Sequence, residues 1–290
     1  MSTLAQALSQ AQSLGLDRLD AQLLLLHALG RTTEQRAWLL AHDGDDLPTT
    51  AQSILNACVQ RRISGEPLAY ITGRKEFFGL DLLVDARVLI PRPDTETLVE
   101  WALEVLPAQT SAAEPARVLD LGTGSGAIAL ALKATRTDLQ VSAVDASEDA
   151  LTVARENAKR LKLEIDFQQG SWLSGVRDKY YAIVSNPPYI AAHDAHLEAL
   201  RHEPAQALSS GADGLQDIRH IITAASAHLR PGGWLLLEHG FDQAAAVREL
   251  LQLTGFANVQ SRRDLSGIER CSGGRNPGLR TASFPFANIV

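Results

Sequence analysis

The chain predicts an α/β fold with a mostly parallel sheet, preceded by a small all-helical domain. Three observations carry this expectation. From Asp94 onward, apolar runs of strand length alternate with helical periodicities, the pattern of parallel strands joined by crossover helices. Residues 1–72 show helical periodicity only. Between the two, residues 73–92 carry short β-prone runs broken by Gly and Asp, which predict a hairpin linker.

In the first region three helices are expected as a compact bundle. Asp17 can cap a segment that sets Leu19, Leu23, Leu26 and Leu29 on or near one face and closes at Gly30. Thr32 or Thr33 can cap a second helix carrying Ala37, Leu39 and Leu40. After Pro48, Ile54, Leu55, Cys58, Val59 and Ile63 recur at helical spacing until Gly65. In the linker, Phe77 to Leu80 and Leu82 to Val84 flank Asp81, and Val88-Leu89-Ile90 ends at Pro91.

The third region, 93–290, reads as helix 94–106, strand 117–121, helix 126–134, strand 140–145 and helix 148–160. Strands 164–168 and 180–185, helix 214–229, strand 233–238, helix 242–254 and a β segment near 257–264 follow. Pro231-Gly232-Gly233 is a turn that feeds the apolar strand Trp234 to Leu237. Ser272 to Val290 finds no place in this scheme.

With 290 residues, 45% of them hydrophobic and 21% charged, the chain has the composition of a soluble globular protein. A formal net charge of −7 argues against a sequence-independent grip on a nucleic-acid backbone, which needs clustered Lys and Arg. Cys58 and Cys271 match no metal-ligand spacing, and the eight histidines form no metal-spaced pair, so no metal is expected. The two cysteines read as reduced thiols of a cytoplasmic protein. Neither a signal peptide nor a membrane span is expected, the longest apolar run being Leu23 to Leu26.

The strand Arg117 to Leu121 runs into Gly122-Thr123-Gly124-Ser125-Gly126, and a helix follows. Glycines there let the backbone approach a ligand and expose N–H groups at a helix N-terminus. The loop by itself suits a nicotinamide or flavin dinucleotide as well as S-adenosylmethionine, because Gly122, Gly124 and Ala127 also satisfy the dinucleotide pattern. Asp145 ends the next strand, 21 positions after Gly124, where a carboxylate can accept both ribose hydroxyls of either cofactor. The competing role for Asp145 is capping the helix that starts near Ser147. Asp120 tilts the choice: a carboxylate there can meet the methionine ammonium, directly or through water, and would repel a dinucleotide phosphate. Asp120 to Gly126 resembles the first motif of the Rossmann-like methyltransferases. Trp172, after the third strand, could contact an adenine or serve as a large core residue.

Asn186-Pro187-Pro188-Tyr189 ends the apolar run Tyr180 to Val184. Pro-Pro alone could simply terminate a strand. Flanked by Asn and Tyr at the carboxyl end of a strand, where open α/β sheets bind ligands, it instead suits the capture of a planar NH2 group. Asn186 Oδ1 and the Pro187 carbonyl can each accept one N–H, while Tyr189 covers the plane of the group. An amide nitrogen so held can face a methyl donor in line, and catalysis is then positioning and electrostatics without a strong base. His193, His196 and His202 read as residues of a solvated loop, and the polar stretch between Glu203-Pro204 and Asp213-Gly214 as either a cover over substrate or a surface loop.

Further stretches extend the resemblance over essentially the whole chain: Gly73 to Gly79, Ile90-Pro91-Arg92-Pro93-Asp94-Thr95-Glu96 running on to Glu100, and Glu203-Pro204 with Leu208 and Gly211. Together with Asn186 to Tyr189 they resemble the bacterial peptide chain release factor glutamine methyltransferases. The resemblance implies a Rossmann-like S-adenosylmethionine-dependent methyltransferase domain with a seven-stranded, mostly parallel sheet. It implies methyl transfer to N5 of the glutamine in the Gly-Gly-Gln loop of class 1 release factors. Carried across, Asp120, Gly122, Thr123, Gly124, Ser125, Gly126, Asp145, Trp172 and Asn186 would hold S-adenosyl-L-methionine. Asn186, Pro187, Pro188 and Tyr189 would hold the glutamine amide, with Asn186, Pro187 and Tyr189 catalytic. Arg92 and Glu96 would organise the cofactor side, and residues 1–72 would dock the release factor. Two alternatives stay open at this point. A sister enzyme methylates a ribosomal-protein glutamine and shares Asn-Pro-Pro-Tyr, although Arg92 to Glu96 speaks for the release factor enzyme. A DNA adenine-N6 methyltransferase would flip a similar amino group into such a site, against the acidic charge balance and the lack of a base-reading domain.

Overall fold

The computed structural model describes residues 2–108 and 115–278. The chain forms two compact units, one of the residues up to 74 together with 84–86, the other of 75–83 together with the residues from 87 on.

The first unit is helical: α1 (Leu4–Ser13), α2 (Arg18–Ala28), α3 (Arg36–Ala41), α4 (Thr49–Ile63) and α5 (Leu68–Thr72). Three helices were expected and five form. Thr3 starts α1 with a capping box, its hydroxyl accepting Gln6 N at 3.3 Å while Gln6 Oε1 accepts Thr3 N at 2.9 Å. The apolar face of α1 is Leu4, Ala7 and Ala11, too small in side-chain volume to stand out as a periodicity. α5 is five residues long and stops at Gly73, whose φ is +71°. Asp17 caps α2 as expected, accepting Asp20 N at 2.8 Å. The buried face of α2 differs, however: Leu24, Leu25 and Leu26 are sealed, whereas Leu19 is exposed. α2 packs against α1, α3, α4 and α5, so one narrow stripe does not describe its burial.

The second unit begins with a hairpin of β1 (Arg74–Phe77) and β2 (Leu80–Leu83), turned by Phe78 and Gly79 at φ +49° and +75°. Val88 to Ile90 is not a strand. A 3-10 turn at Pro93–Thr95 leads into α6 (Glu96–Val105). β3 (Arg117–Leu121), α7 (Ala127–Thr135), β4 (Gln140–Asp145), α8 (Glu148–Leu161), β5 (Asp166–Gln169) and β6 (Tyr180–Ser185) follow. α9 (Gln216–Ala225), β7 (Leu229–Glu238), α10 (Ala244–Leu253), β8 (Ala257–Arg263) and β9 (Glu269–Arg275) are the last elements among the described residues.

The seven-stranded sheet has the order β5-β4-β3-β6-β7-β9-β8, parallel from β5 to β7, with β9 antiparallel to both its neighbours. One face packs on α6, α7 and α8 through Leu98, Trp101, Ile128 and Leu132; the other packs on α9 and α10 through Ile218, Ile222, Val247 and Leu251. The last strand corrects the sequence expectation, since Ser272 to Arg275 belong to the sheet. β9 lies between β7 and β8, with Glu238 opposite Cys271 and Trp234 opposite Arg275. Its glycines hid it. A Cβ at Gly273 would stand 2.6 Å from the Leu235 carbonyl oxygen, and one at Gly274 2.8 Å from Phe256 Cβ, so close packing replaced apolar alternation with bare backbone. The rest of that tail, 279–290, lies outside the described residues.

The register places the site. Leu121 of β3 pairs with Val144 of β4 on one side and Ser185 of β6 on the other. The residues that follow, Gly122, Asp145 and Asn186, therefore emerge side by side at the carboxyl ends of the strands. The strand order also reverses there, which opens the crevice that α/β sheets use for ligands. Among the described residues no helix is long and apolar enough to cross a membrane.

Candidate active site

Gly122, Gly124 and Gly126 all adopt left-handed backbone, with φ of +69°, +55° and +84°. Gly122 N and Thr123 N both donate to the Val144 carbonyl, at 2.8 and 3.1 Å, and this folds the loop back onto β4. Gly126 opens α7, and a Cβ there would sit 3.0 Å from Leu130 Cδ1 and 3.3 Å from Ala154 Cβ, which close packing of α7 on α8 forbids.

Gly122 and Gly124 face a cavity of about 260 Å³, of a size suited to a small molecule. Asp145, Ser147, Trp172, Asn186, Pro188 and Asp217 also line it. Asp145 Oδ2 accepts Gly124 N at 2.8 Å and Oδ1 accepts Ser147 N at 2.9 Å; Ala146 N also bonds the carboxylate, which leaves it a lone pair for a further donor. Burial raises its carboxyl, and the hydrogen bonds from Ser147 and Gly124 oppose that rise. The capping role belongs to Ser147, whose Oγ accepts Ala150 N at 3.2 Å. Trp172, half-buried at φ +51°, donates Nε1–H to Asp217 Oδ1 at 3.1 Å, and a Cβ on Gly122 would come within 3.2 Å of its ring. Its ring thus walls the cavity while it packs against the core on its other side.

Four expected cofactor residues do not line the cavity. Thr123 and Ser125 turn inward and are buried, as is Gly126. Asp120 is sealed beneath the loop, its Oδ2 accepting Thr123 Oγ1–H at 2.7 Å and Ala129 N at 3.2 Å. Burial pushes its carboxyl up to about 7 against those two bonds, and Oδ1 has no partner. The sequence argument had this carboxylate meet the methionine ammonium directly or through water; in the structure it does not line the cavity and braces the loop from within. A short charged side chain at the penultimate position of a central strand points into the layer under the turn that follows.

At the acceptor motif, Ser185 Oγ–H donates to the Leu121 carbonyl at 2.7 Å and ties β6 to β3 just before Asn186. Asn186 Nδ2 donates to Thr95 Oγ1 at 3.3 Å, and its Oδ1 is buried without a partner. Pro187 is buried and Pro188 reaches the cavity wall. Tyr189 donates its hydroxyl to Glu238 Oε1 at 3.4 Å, while its carbonyl accepts Gln243 Nε2 at 3.0 Å. A Cβ on Gly214 would meet that same carbonyl oxygen at 2.2 Å, so the 213–214 turn presses directly on the motif. Burial, reinforced by the Glu238 charge, pushes the Tyr189 hydroxyl far up, which keeps it a neutral donor. Glu238 is itself buried; burial pushes its carboxyl up to about 7 against a hydrogen bond from Thr95.

Thr95 and Glu238 were not singled out by sequence. Thr95 lies in the Arg92–Glu96 segment, whose flanking charges have other tasks: Arg92 pairs with the buried Glu203, and Glu96 Oε1 accepts Phe78 N at 3.0 Å to fasten the hairpin. Glu203 also accepts Ile90 N at 3.1 Å, which anchors the stretch whose Pro204, Gln206 and Ala207 line the cavity. That stretch is a cavity wall, not a free surface loop. Glu238 ends an apolar strand and is followed by His239; a lone acid there carries no spacing signal.

With a glycine turn, a half-buried carboxylate and an aromatic ring lining a cavity at the switch point of its sheet, the second unit is a Rossmann-like S-adenosylmethionine-dependent methyltransferase domain. Residues 99–214 match the model of the methyltransferase small domain, and residues 2–73 match the PrmC N-terminal domain. The release factor glutamine methyltransferase of Coxiella burnetii is 48% identical over 255 residues, 87% of this chain and 90% of that one. That of Escherichia coli K12 is 45% identical over 276 residues, 94% and 97% of the two chains. The chain belongs to the release factor glutamine methyltransferase family. A methyltransferase from Pyrococcus furiosus, 19% identical, shares the fold with a TM-score of 0.52 over 75% of this chain and 96% of its own.

Proposed function

We propose that this protein methylates N5 of the glutamine in the Gly-Gly-Gln loop of class 1 peptide chain release factors, in the cytoplasm. The observation that carries this reading is Asn186 Oδ1, a buried acceptor without a partner on a residue that lines the cavity together with Pro188. Such an orphan is costly unless a ligand donor completes it. The names of the relatives support the release factor as the donor of that amide.

The residues fit the cofactor. The open faces of Gly122 and Gly124, the remaining acceptor capacity of Asp145 and the ring of Trp172 would hold its methionine, ribose and adenine parts. When bound, S-adenosylmethionine supplies an electrophilic methyl on a sulfonium. The rest of the chemistry is orientation. Asn186 Oδ1 and the Pro187 carbonyl take one hydrogen bond each from the amide NH2, which fixes the nitrogen and turns its lone pair toward the donor. Tyr189, anchored at its hydroxyl and its carbonyl, limits rotation of the amide plane. As positive charge develops on the nitrogen, the same two oxygens stabilise it and become the first acceptors of the departing proton. The helical unit is the proposed docking element for the release factor, so removal of residues 1–72 should abolish methylation of the whole factor.

The test is incubation with labelled S-adenosylmethionine and, separately, a class 1 release factor, the large-subunit ribosomal protein and adenine-containing DNA. Label on the release factor, lost when its Gly-Gly-Gln glutamine is replaced, is the expected result. Label on either other substrate alone would overturn the assignment of the acceptor.

A further inference from the structure

An amide side chain can present either its oxygen or its NH2 to a ligand, and only the oxygen serves an acceptor role toward a substrate NH2. Something must choose. Asn186 donates Nδ2–H to Thr95 Oγ1 at 3.3 Å, so Thr95 accepts and must send its own hydroxyl hydrogen elsewhere. That hydrogen goes to Glu238, which takes a hydrogen bond from Thr95 on Oε1, since Oε2 is buried without a partner. The same carboxylate receives the Tyr189 hydroxyl at 3.4 Å. Thr95 and Glu238 are 4% and 1% exposed, so water does not compete for these bonds. Glu238 thus terminates two short chains, one through Thr95 to the Asn186 amide and one directly to the Tyr189 ring.

Resting on the methyl-transfer reading above, we propose that Glu238 and Thr95 are positioning residues that set the polarity of the acceptor site. Once ionised, the carboxylate only accepts, and both hydroxyls then donate toward it. Thr95 is then left as a pure acceptor on its other side, and Asn186 can satisfy it only with NH2. Oδ1 is in consequence aimed at the substrate, and Tyr189 is held edge-fixed beside it. Replacing the carboxylate by an amide disturbs the rule, because its NH2 would stand buried without an acceptor where Oε2 is now, and an amide that turned to find one would force a hydroxyl to turn with it.

The experiment compares Thr95→Val, Thr95→Ser and Glu238→Gln in the full chain. For each, turnover and KM on a release factor are measured beside affinity for S-adenosylhomocysteine and the melting temperature. The side-chain NH2 resonances of Asn186, identified by their loss in Asn186→Asp, supply a readout that needs no methyl acceptor. Thr95→Val, which keeps the shape and removes the hydroxyl, should lower kcat about tenfold with KM and cofactor affinity within about twofold. Thr95→Ser should stay within about threefold of the parent, and Glu238→Gln should match Thr95→Val. The Asn186 NH2 signals should move in Thr95→Val and Glu238→Gln and stay put in Thr95→Ser. Unchanged kcat in a folded Thr95→Val, or equal losses in Thr95→Val and Thr95→Ser, would overturn the proposal. If the parent itself labels no release factor, the acceptor assignment falls; Asn186 signals unmoved by Thr95→Val and Glu238→Gln would then overturn the positioning role on their own.

Discussion

The cofactor loop and the acceptor motif stand at the ends of adjacent strands and are built in opposite ways. The loop from Gly122 to Gly126 is backbone made: three left-handed glycines, two N–H groups on the Val144 carbonyl and a brace from Asp120 three residues before Thr123. Its supports come largely from the strand before it and the strand beside it. The acceptor motif is side-chain made. Asn186 and Tyr189 are oriented by Thr95, Glu238 and Gln243, which lie 91, 49 and 54 positions from their partners. A site of backbone geometry tolerates change in most side chains, whereas a site of side-chain polarity depends on a few remote atoms. Binding and turnover should therefore separate.

The largest effect tests that separation directly. Asn186→Ala should reduce kcat about 100-fold or more, comparable with loss of an oxyanion-hole donor, and leave cofactor affinity within about threefold. Parallel methylation rates and calorimetry with S-adenosylhomocysteine would show it; equal losses of binding and turnover would dissolve the distinction. Asp145→Ala should do the reverse, weakening cofactor affinity about tenfold while kcat at saturation changes little, because it removes the acceptor for Gly124 N and the spare lone pair beside it.

The third expectation concerns pH. The Asp120 carboxyl is raised to about 7 in the fold, well above its unfolded value, so the folded state holds this proton more tightly. Its stabilising contribution is fully present below about pH 4 and is lost as pH rises toward 7. Asp120→Asn removes this component, and the difference in unfolding free energy between parent and variant should change by a few kcal/mol between about pH 4 and 7 in denaturant titrations. A constant difference across that window would place the carboxylate in a more polar setting than its burial indicates. The smallest effect is at Trp172→Phe, which keeps an aromatic wall and loses the bond to Asp217. Cofactor affinity should fall only about threefold by calorimetry, and a loss of a hundredfold would mean that the side chain, and not the backbone, defines the loop side of the site.

The same contrast explains what the sequence revealed. β3, β4 and β6 were placed to the residue because buried parallel strands are continuous apolar runs with sharp ends. Gly122, Gly124, Asp145, Trp172, Asn186 and Pro188, which line one cavity, were legible because each lies at or within three residues of the carboxyl end of a strand. Asp120, Thr123 and Ser125 were assigned to the ligand because a linear motif does not say which way its side chains turn. Thr95 and Glu238 were invisible for a different reason. Their meaning lies in a hydrogen-bond chain between segments distant in sequence, and single hydroxyls and carboxylates carry no periodicity. β9 escaped since its packing is achieved by glycine, and α1 because alanine buries little.

The position of β9 also has a bearing on how the protein is made. β7, which ends in Glu238, is bordered on its outer side only by the strand 269–275, and β8 waits on the same strand for its sole neighbour. During synthesis the earlier strands can assemble as they emerge, but the sheet stays open beside Glu238 until residues 269–275 have left the ribosome. A nascent chain arrested before residue 269 would then carry a formed glycine loop and an unset acceptor site, able to bind before it is able to act.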